Sequence, residues 1–396
     1  MKKRMIKLIG ALLVIASLFF SGCGKSTQLD DYATNEGSDS VEEGTEAVSD
    51  NTSGDTGGIP KDEIKVGVIH LSDPAEGSGY TYTHDLGIQG MQQNLNLSDD
   101  QIVRKINISD TDADATRAAI QECIDEGCNI IFTTSWGYME TTAEMAEEYP
   151  DIYFSHGTGY MSNGKNFNNY FGRIYQARYL SGIVAGMNTK SDKIGYVAGY
   201  PVYGVTANIN AFALGAKFVN PRAKIYLEWS SVKNSNPAEA FKREGIRYVS
   251  DQDMITPTST ARRFGLYSID DETTQHIAMP MWHWGAFYEK MIQSILSGSW
   301  NREQDADNVK ALNYWWGLSA DVVDLIMSTK LPVETQRMVT TFKEMISKDL
   351  FEPFADELKD QKDKVRNQKG RNLTPEQIIT MDWLLDNVIG KIPELE

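Results

Sequence analysis

The body of the chain alternates short apolar runs with longer amphipathic segments. The first run, IKVGVIHL from Ile64, is β-branched and nearly continuous, and it breaks at Ser72-Asp73-Pro74. A loop with Gly77 and Gly79 then leads into Tyr80-Thr81-Tyr82 and a predicted helix. Further strand-like runs are QIVRKINI, CNIIFTTS and DIYFSHG, with an extended stretch over Asn168 to Ile174. Between them, Ala119, Ile120, Cys123 and Ile124 fall on one helical face. After a helix from about Gln176 to Asn188 the alternation restarts at KIGYVAGY. It continues through a helix around Asn208 to Phe212, AKIYLEW, a short helix after Asn236-Pro237, IRYVSDQ, a helix before Phe264, LYSID and HIAMPMW.

Strands alternating with helices predict an α/β fold of parallel sheets flanked by helices. Two successive units predict two lobes with a cleft between them, joined by several crossings. Ligands of such sheets bind beyond the carboxyl ends of the strands, where Gly77 and Tyr80 fall. The C-terminal part is less regular. Trp284 to Leu296 and Pro332 to Lys348 read as helices, and Thr374-Pro375-Glu376-Gln377 reads as a capped helix start. Asp360 to Asn372 reads as an exposed loop.

The first sixty residues are of another kind. Lys2, Lys3 and Arg4 precede an apolar run from Leu8 to Phe20 that is short for a membrane span. It ends in Phe20-Ser21-Gly22-Cys23, which resembles a bacterial lipobox, so residues 1–22 are expected to be a signal peptide and Cys23 a lipidated residue. An ordinary secretory signal and a single-span anchor are the alternatives. Gly24 to Pro60 carries nine acidic residues and one lysine, a net of −8, and almost no large apolar side chains. Residues 23–60 therefore read as a disordered acidic tether. That stretch holds a large share of the chain's net charge of −17. The acidity is no clue to a ligand, but it argues against nucleic acid, which demands a basic face.

Few residues offer reaction chemistry. The chain has no P-loop, no G-x-S-x-G, no H-E-x-x-H and no zinc spacing of cysteines and histidines. His84-Asp85 is an acid–base pair by composition, but adjacent helical residues point apart, so a structural role is expected. Asp110, Asp112 and Asp114 lack the glycine and distal glutamate of a calcium loop and suit a helix N-terminus. Cys123 and Cys128 read as small buried hydrophobes, with a disulfide as the alternative. No metal and no cofactor is expected.

Aromatic residues gather at predicted strand ends: Tyr80 and Tyr82, Trp136, Tyr200, Trp229, Trp282 and Trp284. Each alone fits a core position. Together, at the ligand end of parallel sheets, they suit a flat neutral ligand stacked between rings, with Asp253 or Asp271 accepting its hydrogen bonds.

Several segments carry a resemblance. They are Gly79-Tyr80-Thr81-Tyr82-Thr83-His84-Asp85-Leu86-Gly87, Thr133-Thr134-Ser135-Trp136-Gly137-Tyr138-Met139, His156-Gly157-Thr158-Gly159-Tyr160 and Lys193-Ile194-Gly195-Tyr196-Val197-Ala198. Asn210-Ala211-Phe212 with Leu214-Gly215-Ala216, Trp282-His283-Trp284-Gly285 and Met381-Asp382-Trp383 complete the set. With the lipobox and tether, the chain resembles the basic membrane protein (BMP) family of ABC-transporter solute-binding lipoproteins, which includes purine nucleoside receptors. The resemblance implies a two-lobed type I periplasmic-binding-protein fold. It also implies a purine nucleoside or nucleobase held between rings, with carboxylates on its polar edge.

On this resemblance, residues 61–174 with 283–300 form lobe one, and 175–282 with 301–396 form lobe two and a C-terminal extension. Tyr80 takes the place of the first-loop stacking ring, Trp136 replaces a phenylalanine, and Asp253 stands for the acid of an H-x-D segment. The implied contacts are Asp73, Gly79, Tyr80, Thr81, Tyr82, Trp136, Gly137, Tyr200, Asp253, Asp271 and Trp282. Lobe two departs from the family. Its W-F-D-P segment is Asn234-Ser235-Asn236-Pro237, which lacks the opposing ring, and Asp270, Asp271 and Glu272 stand in for a longer D-S-D loop. The resulting expectation is a binding protein, not an enzyme. It is lipid-anchored on the extracytoplasmic face of a bacterial membrane and delivers its solute to an ABC permease. The alternatives are a protein for another solute such as a sugar or signalling molecule, a ligand sensor, or an exported nucleoside-acting enzyme.

Overall fold

In chain order the computed structural model forms β1 (Val66–Ile69), α1 (Gly79–Asn94), β2 (Ile102–Lys105), α2 (Ala113–Asp125), β3 (Ile130–Thr133), α3 (Met139–Glu148), β4 (Tyr153–Gly157) and β5 (Phe167–Gly172). It continues with α4 (Ile174–Asn188), β6 (Lys193–Ala198), α5 (Val205–Val219), β7 (Lys224–Trp229), α6 (Pro237–Arg243), β8 (Tyr248–Ser250), β9 (Leu266–Asp270) and β10 (Thr273–Trp282). The rest is α7 (Trp284–Leu296), β11 (Tyr314–Trp316), β12 (Val323–Met327), α8 (Val333–Ser347), β13 (Leu358–Lys359), β14 (Val365–Asn367), α9 (Pro375–Ile379) and β15 (Val388–Ile389). The structure describes residues 58–76, 79–251, 265–270, 273–300 and 313–394.

The first sheet has the order β11-β5-β4-β3-β1-β2 and is parallel throughout. Helices cover both its faces, so β1 and β3 are buried at every position and read as unbroken apolar runs. Helix α2 buries Thr116, Ala119, Ile120 and Cys123, close to the face its periodicity predicts, and Asp112 caps it by accepting from the Ala115 N–H at 3.0 Å. The aspartate cluster is thus explained by a helix start.

The second sheet has the order β12-β10-β9-β8-β6-β7-β15. Its β15, β7, β6 and β8 are parallel, whereas β9 runs antiparallel to both β8 and β10. That reversal has a consequence for the site. Leu266 sits opposite Ser250 at the cleft end of β8, so Asp270 and its partner Thr273 lie at the opposite end. Asp271, expected at the cleft mouth, falls outside the described residues. Asp253 and the helix expected before Phe264 also fall outside them.

Three chain crossings join the lobes: Gly172 to Ile174, Trp282 to Trp284, and Trp316 to Leu318. They are tied to one another. The Arg173 N–H donates to the Trp316 carbonyl at 2.6 Å, His283 N–H to Val322 at 2.9 Å, and Leu318 N–H to the Gln176 side chain at 2.9 Å. One expected boundary is corrected here. Residues beyond 300 were assigned to lobe two, but Tyr314–Trp316 pairs with Tyr170–Gly172 at the edge of the first sheet. The chain returns to lobe one through α7, adds this edge strand, and only then crosses for the third time.

The C-terminal segment is docked on lobe two by a buried amide. Asn210 donates to the Trp383 carbonyl at 2.7 Å and accepts from the Leu385 N–H at 3.0 Å. Thr374 and Gln377 form the expected capping box of α9. The stretch expected to be a loop after Asp360 instead forms the hairpin β13–β14, pinned by Arg366 on Asp360 at 2.8 Å.

Candidate functional site

The strand ends of lobe one rest on a buried polar floor. His70, at the end of β1, lies 3.4 Å from Asp85, which also accepts from Arg104 and Gln89 at 2.6 Å each. Burial acts to raise the Asp85 carboxyl, but hydrogen bonds from His70, Arg104 and Gln89 outweigh it and hold the group well below the usual carboxylate range. His84 is buried, stacks on Trp284 at 4.0 Å and pairs through Nδ1 with the Tyr288 hydroxyl. Burial, and then the neighbouring His70, push its imidazole well below its ordinary value. His84 and Asp85 thus point into different networks and build the floor, as the sequence reading expected.

Tyr80 opens α1 above this floor. Its ring is half-buried, meeting His84 edge-on at 4.4 Å and Trp284 at 6.2 Å, and burial drives its phenol well above its ordinary value. Thr81 is buried and accepts from the Ser72 N–H, while Asp73 accepts from the Ala75 N–H at 2.8 Å and opens a single helical turn. Gly79 begins α1, and Tyr82 is half-buried on its next turn. Asp73 and Thr81 thereby spend polar atoms on shaping the first loop.

The rings that meet across the cleft come from other loops. Trp136 follows β3 in lobe one and Tyr203 precedes α5 in lobe two. Their rings stack with centroids 4.3 Å apart and planes 28° apart. Tyr160, after β4, closes the cluster at 5.8 Å from Trp136 and 5.7 Å from Tyr203. The fold places Tyr203 through Gly204, which has φ of +79° and whose Cβ, if present, would meet the Phe171 ring of lobe one at 2.9 Å. Only glycine allows this turn and this approach. Burial, and then Tyr160, raise the Tyr203 phenol. On the other rim, buried Arg178 donates to the Ser250 hydroxyl at 2.6 Å and the Asp251 carbonyl at 2.8 Å, fixing the end of β8 against α4.

The remaining expected contacts lie apart from this cluster or at its edge. Gly137 is exposed beside Asp110. Tyr200 is 65% exposed on the lip of lobe two. Trp282 packs at the second crossing, parallel to Trp284 at 4.4 Å and near Phe171 at 5.9 Å, where it holds the hinge. Tyr203 was missed. The signal was present as Tyr203-Gly204 soon after the strand KIGYVAGY, at the second-lobe counterpart of Tyr80. Two open surface concavities of about 690 and 460 Å³ lie elsewhere, one by Gln89 and Arg104 and one by Lys190 and Arg247. Among the described residues no group of His, Cys, Asp and Glu is placed to hold a metal, and no helix is long and apolar enough to cross a membrane.

Comparisons with known proteins bear on the family and the fold. Residues 64–352 match the model of the Bmp family, described as ABC transporter substrate-binding protein PnrA-like. A purine-binding protein of Brucella abortus is 27% identical over 350 residues, covering 84% of this chain and 95% of that protein. A protein of Haloferax volcanii, provisionally described as an ABC transporter glucose-binding protein, is 29% identical over 299 residues, covering 71% of this chain and 72% of that one. Among solved structures, an ABC transporter solute-binding protein from Conexibacter woesei aligns with a TM-score of 0.54 at 15% identity, covering 73% of this chain and 98% of that one. That likeness concerns the fold, which is the type I fold of periplasmic solute-binding proteins. The family and these neighbours are solute-binding proteins, not enzymes. This chain belongs to the Bmp family of ABC-transporter substrate-binding proteins.

Proposed function

We propose that the chain captures a purine base or nucleoside by closing its two lobes around the base, and that Trp136 and Tyr203 are the rings that hold it. The observation that carries this reading is the near-parallel pair of aromatic faces brought from opposite lobes. A flat ligand with two π-faces is the natural occupant of such a pair, because it replaces one ring–ring contact by two. Tyr203 supplies the opposing ring that the Asn234-Ser235-Asn236-Pro237 segment lacks. The purine-binding relative supports the same class. Hinge closure at the three crossings takes the base out of water, and no covalent step is involved. Micromolar affinity corresponds to about −8 kcal/mol, within reach of one stacked base and a few hydrogen bonds.

In the same reading Cys23 carries a lipid that anchors the chain to the extracytoplasmic face of a bacterial membrane. The closed form then presents the solute to an ABC permease. The Haloferax relative supports a second reading, in which a sugar lays its apolar face on one ring. Thermal unfolding with a panel of purine bases, nucleosides, glucose and amino acids separates the two. A true ligand at a hundred times its Kd adds about 2.7 kcal/mol of stability. A melting point moved by glucose alone sinks the purine assignment.

A further inference from the structure

Away from the cleft, two thiols lie side by side. Cys123 is on the last turn of α2 and Cys128 precedes β3, and both are free and buried. The helix ends in a reciprocal cap. The Cys128 N–H donates to the Cys123 carbonyl at 2.9 Å and the Gly127 N–H to the Ile124 carbonyl at 2.8 Å. Gly127 makes the left-handed turn, with φ of +89°. A cap of this form presses together the side chains at the two ends of its longer hydrogen bond, and that pair is ordinarily apolar. Here it is two cysteines. One backbone hydrogen bond joins the residues directly, which holds their Cα atoms within the span a disulfide needs, roughly 4.4–6.8 Å. On β1, Gly67 leaves the room that Cys123 fills, since a Cβ there would meet its Cβ and Sγ at 3.0 Å.

We propose that Cys123 and Cys128 are an oxidisable dithiol, closed into an intrachain disulfide by exchange with a disulfide oxidant. One of the two thiols, as its thiolate, bonds to one sulfur of the oxidant and expels the other as a thiolate. The second thiol then gives up its proton, attacks the protein sulfur of that mixed disulfide and expels the remaining oxidant thiolate. Two protein thiols are oxidised and one oxidant disulfide is reduced to two thiols. The product ties the end of α2 to the start of β3 through a short ring. The cleft rings sit beyond the opposite end of β3, so ligand binding is unchanged.

The full chain incubated with oxidised glutathione tests this. Alkylation in denaturant followed by cleavage after glutamate cuts between Glu126 and Gly127 and separates the two cysteines. The expected result is that neither is alkylated and that their peptides stay joined until dithiothreitol is added. The melting point should rise by about 3 °C and return on reduction. Cys128→Ala should retain no such bond and show no rise. Alkylation of both cysteines after oxidant treatment overturns the proposal. So does glutathione retained on either residue, or a bond from either to Cys23. The peptide result in the unmutated chain stands even if the variant does not fold.

Discussion

The cross-lobe stack makes an unusual mutational prediction. In the empty protein Trp136 and Tyr203 already share one face-to-face contact, at 4.3 Å. A base inserted between them makes two contacts and breaks one, a net gain of one stack. In Tyr203→Ala the empty protein has no stack and the complex has one, again a net gain of one. Trp136→Ala behaves alike. Only the double variant gains nothing. Each single variant should therefore weaken purine binding by no more than about twofold, while the double variant loses one full stack. That stack is worth about 0.5–1.5 kcal/mol beyond area burial. With the base faces then left in water, the loss should reach on the order of tenfold, beyond the roughly fourfold that two independent twofold losses would give, as expected for coupled residues in contact. Isothermal titration of the four proteins with one nucleoside measures it. If Tyr203→Ala alone abolishes binding, or if the double variant matches a single one, the rings do not form the pair described.

Three further outcomes follow from the fold. His156 is buried with Nδ1 against the Thr133 hydroxyl, and burial holds its imidazole down to about 3. Its unfolded value is near 6.5, so the unfolded chain binds the proton first and stability falls as pH drops from about 6.5 toward 3. The slope is up to about 1.4 kcal/mol per pH unit, with His84 adding to it in the same direction. Urea unfolding at pH 7 and pH 5 should show a shallower loss in His156→Asn, and equal slopes would contradict the burial argument. Asn210→Ala strands the partly buried Trp383 carbonyl and the buried Leu385 N–H, which should cost about 1–3 kcal/mol by urea unfolding, and a loss under about 0.5 kcal/mol would count against the docking. Gly204→Ala forces a Cβ against Phe171 at positive φ, so it should lower stability by about 1–3 kcal/mol in urea unfolding. Unchanged stability would contradict the close approach at Gly204.

Much of lobe one was legible because its information is local. Val66–Ile69 and Ile130–Phe132 form short unbroken runs without a charged or strongly polar residue since helices cover both faces, and Asp112 and Thr374 mark helix starts with their own side chains. What was not legible depends on partners far along the chain. LYSID reads as a strand, but nothing within it states that it runs antiparallel to β8. Tyr314–Trp316 carries no mark of the sheet it joins, and its partner Tyr170 lies far back in the chain. Asp360 looked like a loop residue because its Arg366 partner acts only once the hairpin has formed. The aromatic rule pointed to strand ends correctly but could not rank the rings. Tyr80 and Trp282 turned partly into the packing, whereas Tyr203, placed by a glycine turn, met Trp136 across the cleft.

The central claim is that a flat base lies between Trp136 and Tyr203. A crystal structure of the protein with a bound purine nucleoside tests it most directly. The account predicts the base sandwiched between the two rings, with their centroids moved from 4.3 Å to about 7 Å apart, two stacking gaps of about 3.5 Å each. A nucleoside bound elsewhere, with the two rings still in face contact, would contradict it.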